Sequence, residues 1–200
     1  LEEMAVDRLK VREVEFAGGH AARKRDFGNA GMLGEQRAGF AKRLGELGLI
    51  SLAVFATAFI GSAATIPNIP AWYEALNKPF FNPPNWLFGP VWTLLYLIMT
   101  VSCWRVIDQT RGTAKWRMVV GIFAVQLFFN GLWPVVFFGM HEPGLALPVV
   151  VALDLSVYAT LWIFFRIDRL SGLALVPYAL WVSFASVLNL AIYGLNLPSS

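Results

Sequence analysis

Residues 47–73 read LGLISLAVFATAFIGSAATIPNIPAWY, twenty-seven positions without one charged side chain. Leu47–Ile66 is apolar and long enough to cross a hydrocarbon core of roughly 30 Å as a helix. Pro67 and Pro70 follow at once and are expected to end it. Working outward, four more runs of this kind come after. The expected helices are 47–66, 86–107, 117–138, 144–165 and 171–193. Because lipid supplies no partners for backbone N–H and C=O groups, an open chain crosses it only as helices. The fold expected is therefore an all-α membrane protein, a five-transmembrane-helix bundle with a proline-rich loop between helices 1 and 2.

The charge distribution supports this division. Of 29 charged residues in the 200-residue chain, 17 lie in residues 1–46 and 12 in the remaining 154. Residues 1–46 are expected to be a polar, disordered leader, and 47–196 one membrane domain. Met32 is a candidate start, which would place residues 1–31 outside the native protein. Lysine and arginine also orient the spans. The leader carries nine, the 105–117 connection four and the 166–170 connection two, against Lys78 alone in the loops on the opposite side. The N-terminus is thus expected in the cytoplasm and the C-terminus outside. Basic residues that flank apolar runs describe membrane orientation, and no nucleic-acid partner is expected.

Polar and aromatic residues within the spans fall on helical faces. Phe88, Trp92, Tyr96 and Met99 share one face of the second span. Gln126, Asn130, Trp133 and Phe137 share one of the third, and Tyr178, Trp181, Ala185, Leu188 and Asn189 one of the fifth. Helix packing with amides as interhelical glue accounts for any single residue. Three such faces together suit a flat, largely apolar ligand held among aromatic rings. Asp154 is the one carboxylate in mid-span, with Tyr158 a turn away, and a hydrogen bond to Tyr158 or to a neighbouring helix explains it as well as a proton path does.

Other chemistries find little support. The lysines are Lys10, Lys24, Lys42, Lys78 and Lys115, none in mid-span, so a retinal Schiff base is excluded. Cys103 reads as a small apolar filler, and the two histidines, His20 and His141, propose no metal site. Neither nucleophile–base sets nor Gly-rich phosphate loops occur. Gly61, Ser62, Ala63 and Ala64 form a small-residue end to the first span, suited to close approach within the bundle or between protomers.

The stretch Ala71–Tyr96, AWYEALNKPFFNPPNWLFGPVWTLLY, resembles the signature of the tryptophan-rich sensory protein/translocator protein (TspO/MBR) family. Trp72-Tyr73, Lys78-Pro79, Pro83-Pro84, Trp86, Gly89-Pro90-Val91-Trp92 and Leu95-Tyr96 carry the likeness. Asn130, Trp133-Pro134 and Phe137-Phe138-Gly139 extend it in the third span, and Pro177-Tyr178, Trp181, Phe184-Ala185 and Leu188-Asn189 in the fifth. The resemblance implies a homodimer of five-helix bundles in a bacterial cell membrane that binds tetrapyrroles such as protoporphyrin IX and haem, with no cofactor required. It also implies that Tyr73, Phe88, Trp92, Asn130, Trp133, Trp181, Ala185 and Leu188 line the pocket, with the proline-rich loop as a stiff cover over its outer mouth. Trp92 and Trp181 match tryptophans tied to light-dependent porphyrin breakdown in bacterial relatives. A membrane receptor or regulator is the leading reading, with a porphyrin-degrading enzyme or a porphyrin or small-solute transporter as alternatives. The chain departs from animal members in having no basic residue after Tyr193, and in Leu145 and Val149, so sterol transport is poorly supported.

Overall fold

The computed structural model describes residues 36–197. They fall into two compact units divided at Gly45 and Glu46. Of the first unit, residues 36–45 are described, and they are helical and exposed; residues 1–35, most of the expected leader, lie outside the described residues. Five helices are long and apolar enough to cross a membrane, as expected.

The first of them, Gln36–Tyr73, differs from its expected course at both ends. Regular α-helix, here α1, covers residues 36–65, where the hydropathy pattern alone begins it at 47. More consequentially, Pro67 and Pro70 do not end it. The backbone tightens into a 3-10 turn, Ile66–Asn68, and then widens into a π turn, Ile69–Tyr73, each with its proline in the first two positions. A proline there gives up little, because the N–H it lacks belongs to the group of unpaired donors at a helix start. The stretch between spans is therefore shorter than expected. Residues 76–84 are irregular and hold Pro79, Pro83 and Pro84, with one turn closed by the Asn82 N–H on the Pro79 carbonyl at 3.0 Å.

Helix α2 is Asn85–Thr110, and α3 is Lys115–Pro134, continued by a second π turn, Val135–Gly139. Helix α4 is Pro143–Ile167. The fifth span is broken: a short α5, Arg169–Ala174, precedes α6, Val176–Leu195. Where α5 leaves α4, a Cβ on Gly172 would stand 2.4 Å from the Phe165 Cα. Only glycine allows the two backbones to pass at that distance.

α4 packs most extensively against α3 and α6. The core beneath is built from Val54 of α1, Met99, Cys103 and Val106 of α2, Val119 and Phe123 of α3, Leu153, Val157 and Phe164 of α4, and Val182 of α6. Cys103, 1% exposed, is the apolar filler expected. The other faces carry exposed apolar side chains, among them Leu52, Leu94, Leu155 and Leu190, as helices in lipid require. At one end of the bundle Arg105 donates to Asp168 at 2.8 Å, and Arg111 pairs with Glu46 and Asp108. The Arg105 guanidinium holds the Asp168 carboxyl below the usual carboxylate range, helped by the Ser171 hydroxyl, against a smaller opposing effect of burial.

Asp154 bonds to a neighbouring helix. Its Oδ1 accepts from the Ser183 hydroxyl of α6 at 3.0 Å, and Tyr158 joins the same hydroxyl at 3.0 Å.

Candidate functional site

The aromatic faces predicted for the second and third spans meet around a cavity of about 460 Å³. Its third wall is α1. Phe55, Ala58, Ser62, Thr65 and Ile69 line it at alternating spacings of three and four, one face of a helix running into its π turn. Tyr73 closes one end. From α2 come Phe88, Trp92 and Tyr96, and from α3 and its π turn Asn130, Trp133 and Phe138. No charged residue is among the lining residues, so whatever fits here is held by ring faces, dispersion and a few hydrogen bonds.

Of the eight residues expected to line a pocket, Tyr73, Phe88, Trp92, Asn130 and Trp133 do so. Trp181, Ala185 and Leu188 are not among the lining residues of this cavity. The Trp181 ring meets Phe88 edge-on at 5.9 Å and lies 5.6 Å from Phe184, so it supports a lining residue. Leu188 is buried in a cluster with Tyr73, Phe137 and Phe138. The residues of α1 and Phe138 were not singled out by sequence reasoning. The three-four spacing from Phe55 to Ile69 was the available signal, masked because small residues on a span also read as packing.

Behind the rings, four polar side chains form one directed chain. The Tyr96 hydroxyl donates to Asn130 Oδ1 at 2.9 Å, Asn130 Nδ2 donates to the Tyr178 hydroxyl at 2.8 Å, and that hydroxyl donates to Gln126 Oε1 at 2.8 Å. All four are nearly fully buried. Both polar atoms of Asn130 are thus engaged within the bundle. Trp133 is fixed similarly: its indole N–H donates to Asn189 Oδ1 at 3.0 Å, and Asn189 donates onward to the Pro143 carbonyl. Tyr73 donates its hydroxyl to Asn82 Oδ1 at 2.6 Å, while Lys78 lies over its ring. A ligand that accepts a hydrogen bond from Tyr73 has to displace Asn82.

Trp72 is turned away from the cavity. Its ring stacks on His141 at 4.6 Å and meets Phe137 edge-on at 5.6 Å, while His141 Nε2 sits 2.9 Å from Asn68 Oδ1. His141 adopts a positive φ of 59°.

A cavity walled by these tryptophans and tyrosines is matched by comparison with known proteins. Residues 49–194 match the profile of the TspO/MBR family. The chain belongs to the TspO/MBR family. It is 40% identical over 152 residues to protein CrtK of Rhodobacter capsulatus, covering 74% of this chain and 95% of the relative. The tryptophan-rich protein TspO of Archaeoglobus fulgidus is 43% identical over 145 residues, 72% of this chain and 93% of that protein. The human translocator protein is 32% identical over 136 residues, 68% of this chain and 80% of that one. Family membership and five candidate spans together make this TspO/MBR chain a multi-pass membrane protein.

Proposed function

We propose that this protein is a membrane receptor or regulator that binds a tetrapyrrole, porphyrin or haem, between α1, α2 and α3. The observation that carries the reading is the uncharged cavity of about 460 Å³ walled by Tyr73, Phe88, Trp92, Tyr96, Trp133 and Phe138. Its size falls within the range of small-molecule sites, roughly 300–1,000 Å³. A flat macrocycle meets ring faces in it, and each aromatic contact contributes about 0.5–1.5 kcal/mol beyond buried area. A relative in Cereibacter sphaeroides bears the name tryptophan-rich sensory protein, consistent with a sensing role. The excess of lysine and arginine on one side, 15 against 1, supports a cytoplasmic N-terminus in a bacterial cell membrane. We propose a homodimer as the assembled form, on the family resemblance. Titration of the protein with protoporphyrin IX, followed by tryptophan fluorescence, tests the site. Saturable quenching that weakens in Trp92→Ala supports it, and unchanged affinity in that variant removes it.

One observation favours a second reading, light- and oxygen-dependent breakdown of the bound porphyrin. Trp92 is both a lining residue and stacked on Tyr96 at 5.4 Å, which puts an oxidisable indole against any ligand in the cavity. Trp181 is one ring further off. Porphyrin absorbance under illumination with oxygen separates the readings: loss that slows in Trp92→Phe indicates breakdown, and a constant spectrum indicates binding alone.

A further inference from the structure

The walls of the cavity are closed to different degrees. Between α1 and α3 the contact is tight and made by small residues. A Cβ on Gly61 would lie 3.2 Å from Pro134 Cγ, one on Gly131 3.3 Å from Thr57 Cγ2, and one on Gly139 3.6 Å from the Ala64 Cβ. Between α1 and α2 there is no such seam. Gly89 of α2 lines the cavity, yet nothing lies within 4 Å of where its Cβ would stand. The exposed lining residues gather on these two helices and the 3-10 turn: Phe55 at 44%, Ile66 at 67% and Trp86 at 72%, with Ser62, Gly89 and Thr93 exposed as well. Deeper in, Tyr73, Tyr96, Asn130 and Phe138 are all buried. The cavity is thus open sideways, along a gap whose edges are within two membrane spans.

The loop side is tied down. Asn196, at the end of α6, accepts from the Asn77 N–H at 2.9 Å and donates to the Asn77 carbonyl at 2.9 Å, while Asn77 Nδ2 reaches the Leu195 carbonyl at 3.4 Å. Phe81 meets Phe184 of α6 edge-on at 6.3 Å, and Asn82 holds the Tyr73 hydroxyl. Residues 76–84 are therefore clasped to α6 and to the end of the first span by side chains from both ends of the loop.

We propose that ligands reach the cavity from the hydrocarbon of the bilayer, sideways between α1 and α2, and that residues 76–84 are a fixed cover and not the door. This rests on the reading of the cavity as the ligand site. It also narrows the ligand class. Molecules that use this gap are flat and apolar enough to dissolve in the bilayer, and they keep any carboxylates at the headgroups, because nothing charged lines the cavity to receive them.

The test uses the full chain in phosphatidylcholine vesicles with protoporphyrin IX already partitioned into the lipid, read by stopped-flow tryptophan quenching. Ser62→Phe and Gly89→Phe add bulk on opposite edges of the gap, so a folding defect in one does not decide the outcome. Expected is a fall of about tenfold or more in both association and dissociation rates, as for a raised barrier of about 1.4 kcal/mol. Asn196→Ala opens the clasp and is expected to change neither rate more than about twofold. If Asn196→Ala speeds both rates while the two phenylalanine variants behave as wild type, the loop is the door and the proposal is overturned. If the wild-type chain shows no saturable quenching, the site reading falls and the route falls with it.

Discussion

The directed chain Tyr96–Asn130–Tyr178–Gln126 makes a quantitative prediction about stability. Tyr178→Phe removes one hydroxyl that makes two hydrogen bonds of 2.8 Å, leaving Asn130 Nδ2 and Gln126 Oε1 without it. Two scales apply. Interhelical hydrogen bonds in membrane proteins average about 0.6 kcal/mol, because polar groups facing lipid find other partners. An orphaned polar group inside protein costs about 1–3 kcal/mol. Burial decides between them: Asn130 is 2% exposed and Gln126 1%, so neither can turn elsewhere. The expected cost of Tyr178→Phe is about 2 kcal/mol, some 30-fold in the unfolding equilibrium. Gln126 already has its Nε2 buried without a hydrogen bond from the protein, so Gln126→Leu removes one unsatisfied group while creating another on Tyr178. That variant should cost less than about 1 kcal/mol. The double variant leaves only the Asn130 N–H unpaired, and is expected to be more stable than Tyr178→Phe alone. Equilibrium unfolding in mixed micelles with increasing sodium dodecyl sulfate measures all three. If the double variant costs the sum of the singles, Tyr178 and Gln126 are not coupled and the chain is wrongly drawn.

Three other predictions follow from local geometry. Gly172→Ala drives a methyl into the Phe165 backbone, and should destabilise the fold by about 1–3 kcal/mol or more in the same unfolding assay. Asp168 has its carboxyl pKa lowered in the fold, chiefly by Arg105, so its contribution is full above the unfolded value near 4 and is lost as pH falls through the lower folded value. Acid unfolding curves should therefore lose part of their steepness below about pH 4 in Asp168→Asn, with little change in slope at pH 7. Asn189→Leu takes the acceptor from the Trp133 indole and should weaken protoporphyrin IX binding severalfold in a fluorescence titration, since the freed ring is no longer held at the cavity wall.

Much of the fold was legible because lipid imposes a single rule, uncharged runs of about twenty residues, and each of the five runs became a helix. The helix ends were less so. Pro67 and Pro70 read as terminators, yet a proline at the start of a 3-10 or π turn sacrifices only a spare donor, and no local pattern separates the two cases. Helical spacing identified Trp92, Asn130 and Trp133 as inward-facing, and they line the cavity. The same spacing selected Trp181 and Leu188, which are also inward but pack behind other side chains. Periodicity reports which face turns inward. Whether a void lies there depends on side chains of other helices, and here on the small residues of α1. Asp154 shows the reverse: spacing proposed Tyr158 or another helix as partner, and the hydroxyl of Ser183 joins both.

The most direct measurement of the central claim compares protoporphyrin IX affinity in Trp92→Ala and Trp181→Ala, each by titration of the full chain in vesicles. Trp92 forms part of the cavity wall, whereas Trp181 touches only the back of Phe88. Losing a stacking face and its buried area should weaken binding by about tenfold or more in Trp92→Ala, and distinctly less in Trp181→Ala. Affinity that is unchanged in Trp92→Ala, or that falls only in Trp181→Ala, would place the ligand elsewhere and contradict the assignment of the cavity between α1, α2 and α3.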